Sequence, residues 1–390
     1  MRVWALGFYL IAVLGLGPAV SHAQDRPLAE LAALVPEDPQ GWVSLADIAA
    51  AKAQARPYAN PPSDVNLGLM AYTAIHPGPG FDAQSLAMSK DGFNDALGFQ
   101  VTDIAGLATW GKAPDGPAIM TFAYRLRPST VGPALTKRGY VVDSLDGVPV
   151  WHRQEDHEIV ITRRREDPFS GGVGHSGRFA LKDKSLIYTR TWPMLDRVLK
   201  GENSYGARPE VKAILDVAYR RDDVGELIEA LFIGPQTIRQ ADAAASLGAK
   251  LNENPTDEFQ AVLEKIDYPG LPPFLNHALL LWQDGIRLTG AIAVPYADEA
   301  TARQGLNRFV SALKAAPNLR TGGRLAEFLP QERTFAVVQS GDRFVLLLMF
   351  HQRARERDLG SVMAFANNPV RRFTQMIATR EWSLLTGYHE

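Results

Sequence analysis

ALLLWQDGIRLTGAIAV, residues 278–294, is two apolar runs hinged on Asp284-Gly285. An Asp-Gly pair between apolar runs is a strong short-range signal for an antiparallel hairpin, because the tight turn wants positive φ at its central positions. Ala278–Trp282 and Ile286–Val294 therefore read as paired strands. The arrangement recurs. Thr334–Val338 and Phe344–Phe350 flank Ser340-Gly341, Val141-Val142 and Val148–Trp151 flank Asp146-Gly147, and residues 178–190 turn near Asp183-Lys184.

Helical patterns follow three of these hairpins. Thr191 is placed to cap one helix, with Pro193 in its first turn, where a missing N–H does no harm. Asp298 caps another, with Ala302, Leu306, Phe309 and Leu313 facing inward. Val362–Ile377 forms the third, in which Pro369 is expected to kink or split the helix. Hairpins make antiparallel sheets, so the expected class is α+β: antiparallel sheets built from hairpins, with helices packed on one face. The recurrence hints at two duplicated hairpin–helix halves.

The remaining elements follow from periodicity. Leu28, Leu31, Leu34 and Val35 mark a helix stopped by Pro36 and Pro39, and residues 42–56 read as a short strand running into an Ala-rich helix. Val211, Ile214, Leu215 and Ala218 line one amphipathic helix. Val224, Leu227, Ile228, Leu231 and Phe232, at i, i+3, i+4, i+7 and i+8, line a second. Phe259, Val262, Leu263 and Ile266 mark a further helix. Residues 236–255, rich in Ala, Asn and Gln, read as a connector between an N-terminal α+β domain at 24–235 and a C-terminal one at 256–390.

Residues 1–23 carry the marks of a cleavable secretory signal. Arg2 supplies the positive start, Val3–Leu16 an uncharged apolar run, and Ser21-His22-Ala23 small residues at the −3 and −1 positions, leaving Gln24 as the mature start. The run falls short of the roughly 20 apolar residues that span a bilayer, and no later run reaches that length, so no transmembrane segment is expected after cleavage. The expected location is extracytoplasmic, periplasmic or secreted. The 390 residues contain no Cys, which removes thiol nucleophiles, disulfides and thiolate metal sites. A formal net charge of −2 argues against nucleic-acid binding, which wants a concentrated positive field.

Motifs that carry chemistry fail on context. Gly172-Val173-Gly174-His175-Ser176-Gly177 matches the dinucleotide-loop spacing, but a strand follows it where a helix is required. Gly174-His175-Ser176-Gly177 approaches a nucleophile elbow, but Arg178 stands where the closing Gly belongs. His152, His157 and His175 cluster with Glu155, Asp156 and Glu158, ligand types suited to a divalent metal in a spacing that matches no known set. Trp151 ends a strand and is placed either to close a core or to floor a ligand groove. Trp151, His152, His157, His175 and Ser176 are thus the candidate ligand-binding residues. No catalytic residue, metal site or cofactor is expected.

Phe81–Gly234 resembles exported bacterial proteins grouped as a domain of unknown function. The residues that carry the likeness are Leu97-Gly98-Phe99, Arg138-Gly139-Tyr140, Gly147-Val148-Pro149-Val150-Trp151 and Gly177-Arg178-Phe179-Ala180, the last leading into Leu186-Ile187-Tyr188-Thr189-Arg190. The resemblance implies an envelope location and supplies no activity. The sequence therefore favours a non-enzymatic binding or assembly factor of the cell envelope, its partner an envelope protein or a small ligand. Two alternatives stand beside it: a periplasmic hydrolase using the 152–178 loop region, and a signal-anchored membrane protein with the same soluble domain.

Overall fold

A computed structural model describes residues 26–39, 41–60, 64–75, 95, 97–111, 116–161, 175–201, 203–234, 270–315, 325–361 and 363–378. The proposed signal at 1–23, the 236–255 connector, the 259–266 helix and Gly172–Gly174 lie outside them.

Twelve strands form one sheet, and every pairing in it is antiparallel. In chain order they are β1 (Trp42–Asp47), β2 (Ile104–Gly111), β3 (Ala118–Phe122), β4 (Val141–Leu145), β5 (Val148–Arg153), β6 (Gly177–Lys182), β7 (Ser185–Thr189), β8 (Glu226–Ile233), β9 (His277–Asp284), β10 (Arg287–Tyr296), β11 (Glu332–Ser340) and β12 (Arg343–Arg353). Across the sheet the order is β11-β12-β10-β9-β8-β1-β2-β3-β7-β6-β5-β4.

That order contains the same winding twice. β1, β2 and β3 lie side by side in chain order, a helix follows, and β7 returns beside β3. β8, β9 and β10 likewise lie side by side in chain order, a helix follows, and β12 returns beside β10. The β4–β5 hairpin extends the first half outward. The halves meet where β1 pairs with β8, from Val43 opposite Phe232 to Ala46 opposite Glu229. The four hairpins read from their turns are all present: β4–β5, β6–β7, β9–β10 and β11–β12.

The helices lie on both faces of this sheet, not on one. Along β12, Leu346, Leu348 and Phe350 belong to one apolar cluster, while Val345, Leu347 and Met349 belong to another. Successive strand residues point to opposite faces, so both faces are buried. The first face is covered by α2 (Ile48–Ala55), α3 (Asp64–Ala74), α4 (Pro128–Lys137), α7 (Glu299–Ala315), α8 (Leu325–Phe328) and α9 (Pro369–Ala378). The second is covered by α1 (Pro27–Leu34), α5 (Trp192–Lys200) and α6 (Pro209–Tyr219). Continuous apolar runs such as Val345–Phe350 are what double-sided burial demands.

Two elements differ from their sequence reading. Residues 224–232 are not an amphipathic helix; Glu226–Ile233 is the strand β8, buried from Leu227 onward. Glu226 and Glu229 supplied the apparent polar stripe, but Glu229 is fully buried, with the positive charge of Arg371 in α9 acting on it from above the sheet. Pro369 does not kink a helix; it begins one. Asn368 Oδ1 accepts the N–H of Arg371, capping α9, and Asn368 Nδ2 donates to the carbonyls of Ala74 and Phe365.

Candidate functional site

The 151–178 region is a packed sheet end. Trp151 is buried on the α4 side, where its indole lies 3.4 Å from the place a Cβ on Gly132 would occupy. His152, one residue on, faces the other side and packs its ring 5.1 Å from that of Trp192. His157 is exposed, in a turn, with φ of 62°. His175 bridges Ile159 through the backbone. Ser176 is 1% exposed, and its Oγ donates to the carbonyl of Arg190 at 2.9 Å. The side chains of Trp151 and His152 diverge to opposite faces, and the Ser176 hydroxyl is committed to the backbone.

Arg178 organises this end instead. Its fully buried guanidinium pairs with Asp156 at 2.6 Å, donates to the carbonyls of Arg190 and Gln154, and lies 5.1 Å over the Trp192 ring. Asp156 in turn accepts the N–H of Trp192 at the start of α5. Burial lowers the Arg178 pKa, and the Asp156 carboxylate opposes that shift. One charged side chain thus ties the ends of β5, β6 and β7 to a helix. The arrangement is structural, since both terminal guanidinium nitrogens donate to the protein's own carbonyls and carboxylate.

Concave surface lies elsewhere, at the end of the sheet where β1 runs into α2. Two grooves of about 530 and about 500 Å³ adjoin there and share Pro27 and Asp47 as lining. A register irregularity in β2 at Ala105, between Ile104 and Gly106, shapes the first. Its floor is apolar, from Leu31, Leu34 and Phe122, with Lys184 of the β6–β7 turn on its rim. The second runs between Tyr219, Leu227 and Trp282.

Asp47 stands between them and is 8% exposed. It caps α2, its Oδ1 accepting the N–H of Ala50 at 2.8 Å. Burial raises its carboxyl pKa; the capping bond opposes this, and the nearby Glu226 charge adds to the rise. A desolvated carboxyl in a cleft is the kind of group that marks a functional site.

No family model matches the chain, and no curated protein matches it. Solved structures of TP0453 in several crystal forms do, at 10% identity. Crystal form I has a TM-score of 0.35 and covers 88% of this chain and 98% of its own. Crystal form IV has a TM-score of 0.36 and covers 91% and 98%.

Among the described residues, no three His, Asp or Glu side chains are grouped to hold a metal ion, and no helix is long and apolar enough to cross a membrane. Neither Asp47 nor Arg178 is among the candidate ligand-binding residues of the sequence. For Asp47 a signal existed: an Asp at a strand-to-helix change is a capping residue by type. Its place between two grooves depends on β2, β7 and β8, which no local pattern reveals.

Proposed function

We propose that the chain is exported by removal of residues 1–23 and works outside the cytoplasm as a non-enzymatic binding protein of the cell envelope. The observation that carries the binding role is the pair of adjoining grooves at Pro27 and Asp47. Together they offer a volume suited to a small ligand or a short segment of a partner, with an apolar floor and polar groups at the rim. The leader pattern ahead of Gln24 and the resemblance to exported proteins support the location. The hydrolase alternative loses its nucleophile, because Ser176 is buried and its hydroxyl is held by the Arg190 carbonyl.

Fractionating cells that express the full chain, and reading the native N-terminus by mass spectrometry, tests the location. The expected species begins at Gln24 and leaves with the extracytoplasmic fraction. A protein that begins at Met1 and stays in the cytosol overturns the reading; one that begins at Met1 and stays in the membrane fraction favours the signal-anchored form.

A further inference from the structure

We propose that the two grooves at Pro27 and Asp47 form one continuous site for an extended peptide segment with cationic side chains on one side and apolar side chains on the other. The inference deepens the binding role proposed above and rests on it.

Charge argues for the cationic side. Six carboxylates line the two grooves: Glu30, Asp47, Asp183, Asp222, Glu226 and Asp284. Among the described residues only two cations line them, Lys184 and Arg221, and Arg221 is already bound to Asp223 through two hydrogen bonds of 2.7 Å. None of the six carboxylates is in a salt bridge among the described residues. The whole chain carries a formal net charge of only −2, so this lining is more acidic than the protein around it. Carboxylates facing one cleft focus its field and favour a cationic guest.

Shape and polarity argue for the apolar side. Leu34 is 40% exposed although it stands in a helix whose Leu28 and Leu31 are buried, and it lines the first groove with Phe122. Desolvating such a floor rewards an apolar contact. Asp47 is the point the two grooves share, so a linear ligand laid across it reaches both. A compact ligand fills one groove and leaves the other's carboxylates unpaired.

The probe is a synthetic peptide of alternating Lys and Leu, titrated against the mature protein by calorimetry at low and high salt. Saturable binding is expected, weakened by salt as screened charge pairs must be. Reversing two exposed rim charges, Glu226→Lys with Asp284→Lys, is expected to weaken it about tenfold, since each change replaces an attraction with a repulsion. Leu34→Ser is expected to weaken it separately. Circular dichroism and the urea midpoint show whether the variants are folded. An alternating Glu and Leu peptide is expected not to bind.

Absence of saturable binding, or equal affinity in the folded double-reversal variant, overturns the site. Equal binding of spermidine shows an apolar floor that is unused, and also overturns it. The two readings fail separately. A protein beginning at Gln24 that ignores the peptide leaves the envelope role standing, and one confined to the cytosol that binds it leaves this site standing.

Discussion

His277 opens β9 in a wholly buried position, with its ring edge-on to Phe274 at 5.4 Å. Burial disfavours the imidazolium and pushes the pKa from 6.5 down to about 3, and a hydrogen bond with the backbone of Ile233 opposes only part of that. The unfolded chain takes up this proton near its ordinary pKa and the folded chain only near the depressed one. Between those values the unfolded state holds the extra proton. The contribution of His277 to stability is therefore whole above pH 6.5 and is lost as the pH falls from there toward about 3. The slope from one such group reaches about 1.4 kcal/mol per pH unit. His277→Phe, which keeps a ring in the cavity, is expected to flatten the dependence. Urea unfolding of both proteins at about pH 7 and about pH 5 measures it, with the native protein losing more stability than the variant over that interval. Parallel losses would show that His277 is not the group responsible.

Element by element, turn chemistry was the legible part of the sequence. The Asp-Gly and Ser-Gly pairs placed three hairpins, and Asp183-Lys184 the fourth, because positive φ is a local demand that few residues meet. Faces and period were less legible. β8 imitates a helix because Glu229 sits among apolar residues at helical spacing; only the position of Arg371, in a helix far along the chain, reveals that a charge is buried there. The grooves were illegible for the same reason, since Pro27, Asp47, Lys184 and Glu226 come together only through strand order. One local sign of β8 was present in Gly225, just before it. Its φ is +104°, and a Cβ there would lie 2.5 Å from the carbonyl oxygen of Gln283, a backbone atom of the neighbouring strand. Gly225→Ala thus combines backbone strain with a clash that no rotamer relieves, and is expected to cost about 3 kcal/mol. Gly341, with φ of +59° and open space around it, isolates the strain alone. Gly341→Ala is expected to cost about 1 kcal/mol. Chemical denaturation of both variants checks the difference; equal costs would mean that β8 is not held against β9 as described.

On the scale of the whole molecule, the β1–β8 pairing joins two windings of the same kind into one sheet. A seam between repeats is a natural place for a protein to come apart, but the packing argues otherwise here. The cluster on one face holds Ala46 and Leu107 from the first half with Ile228, Leu281 and Phe350 from the second. The cluster on the other face holds Val43 and Trp110 with Phe232, Trp282 and Met349. Unfolding either half alone would strip both faces of the other half at the seam and leave the edge of β1 or β8 without its ladder of backbone bonds. Each loss is costly for apolar strands buried on both faces. The two halves are therefore expected to unfold in one cooperative step. Hydrogen exchange read by mass spectrometry across a urea series tests this, using peptides from β2–β3 and from β9–β10. Loss of protection at one shared midpoint is the expected result. Two well-separated midpoints would show that each winding is stable by itself, and that the continuous sheet is an interface between independent units instead of a single core.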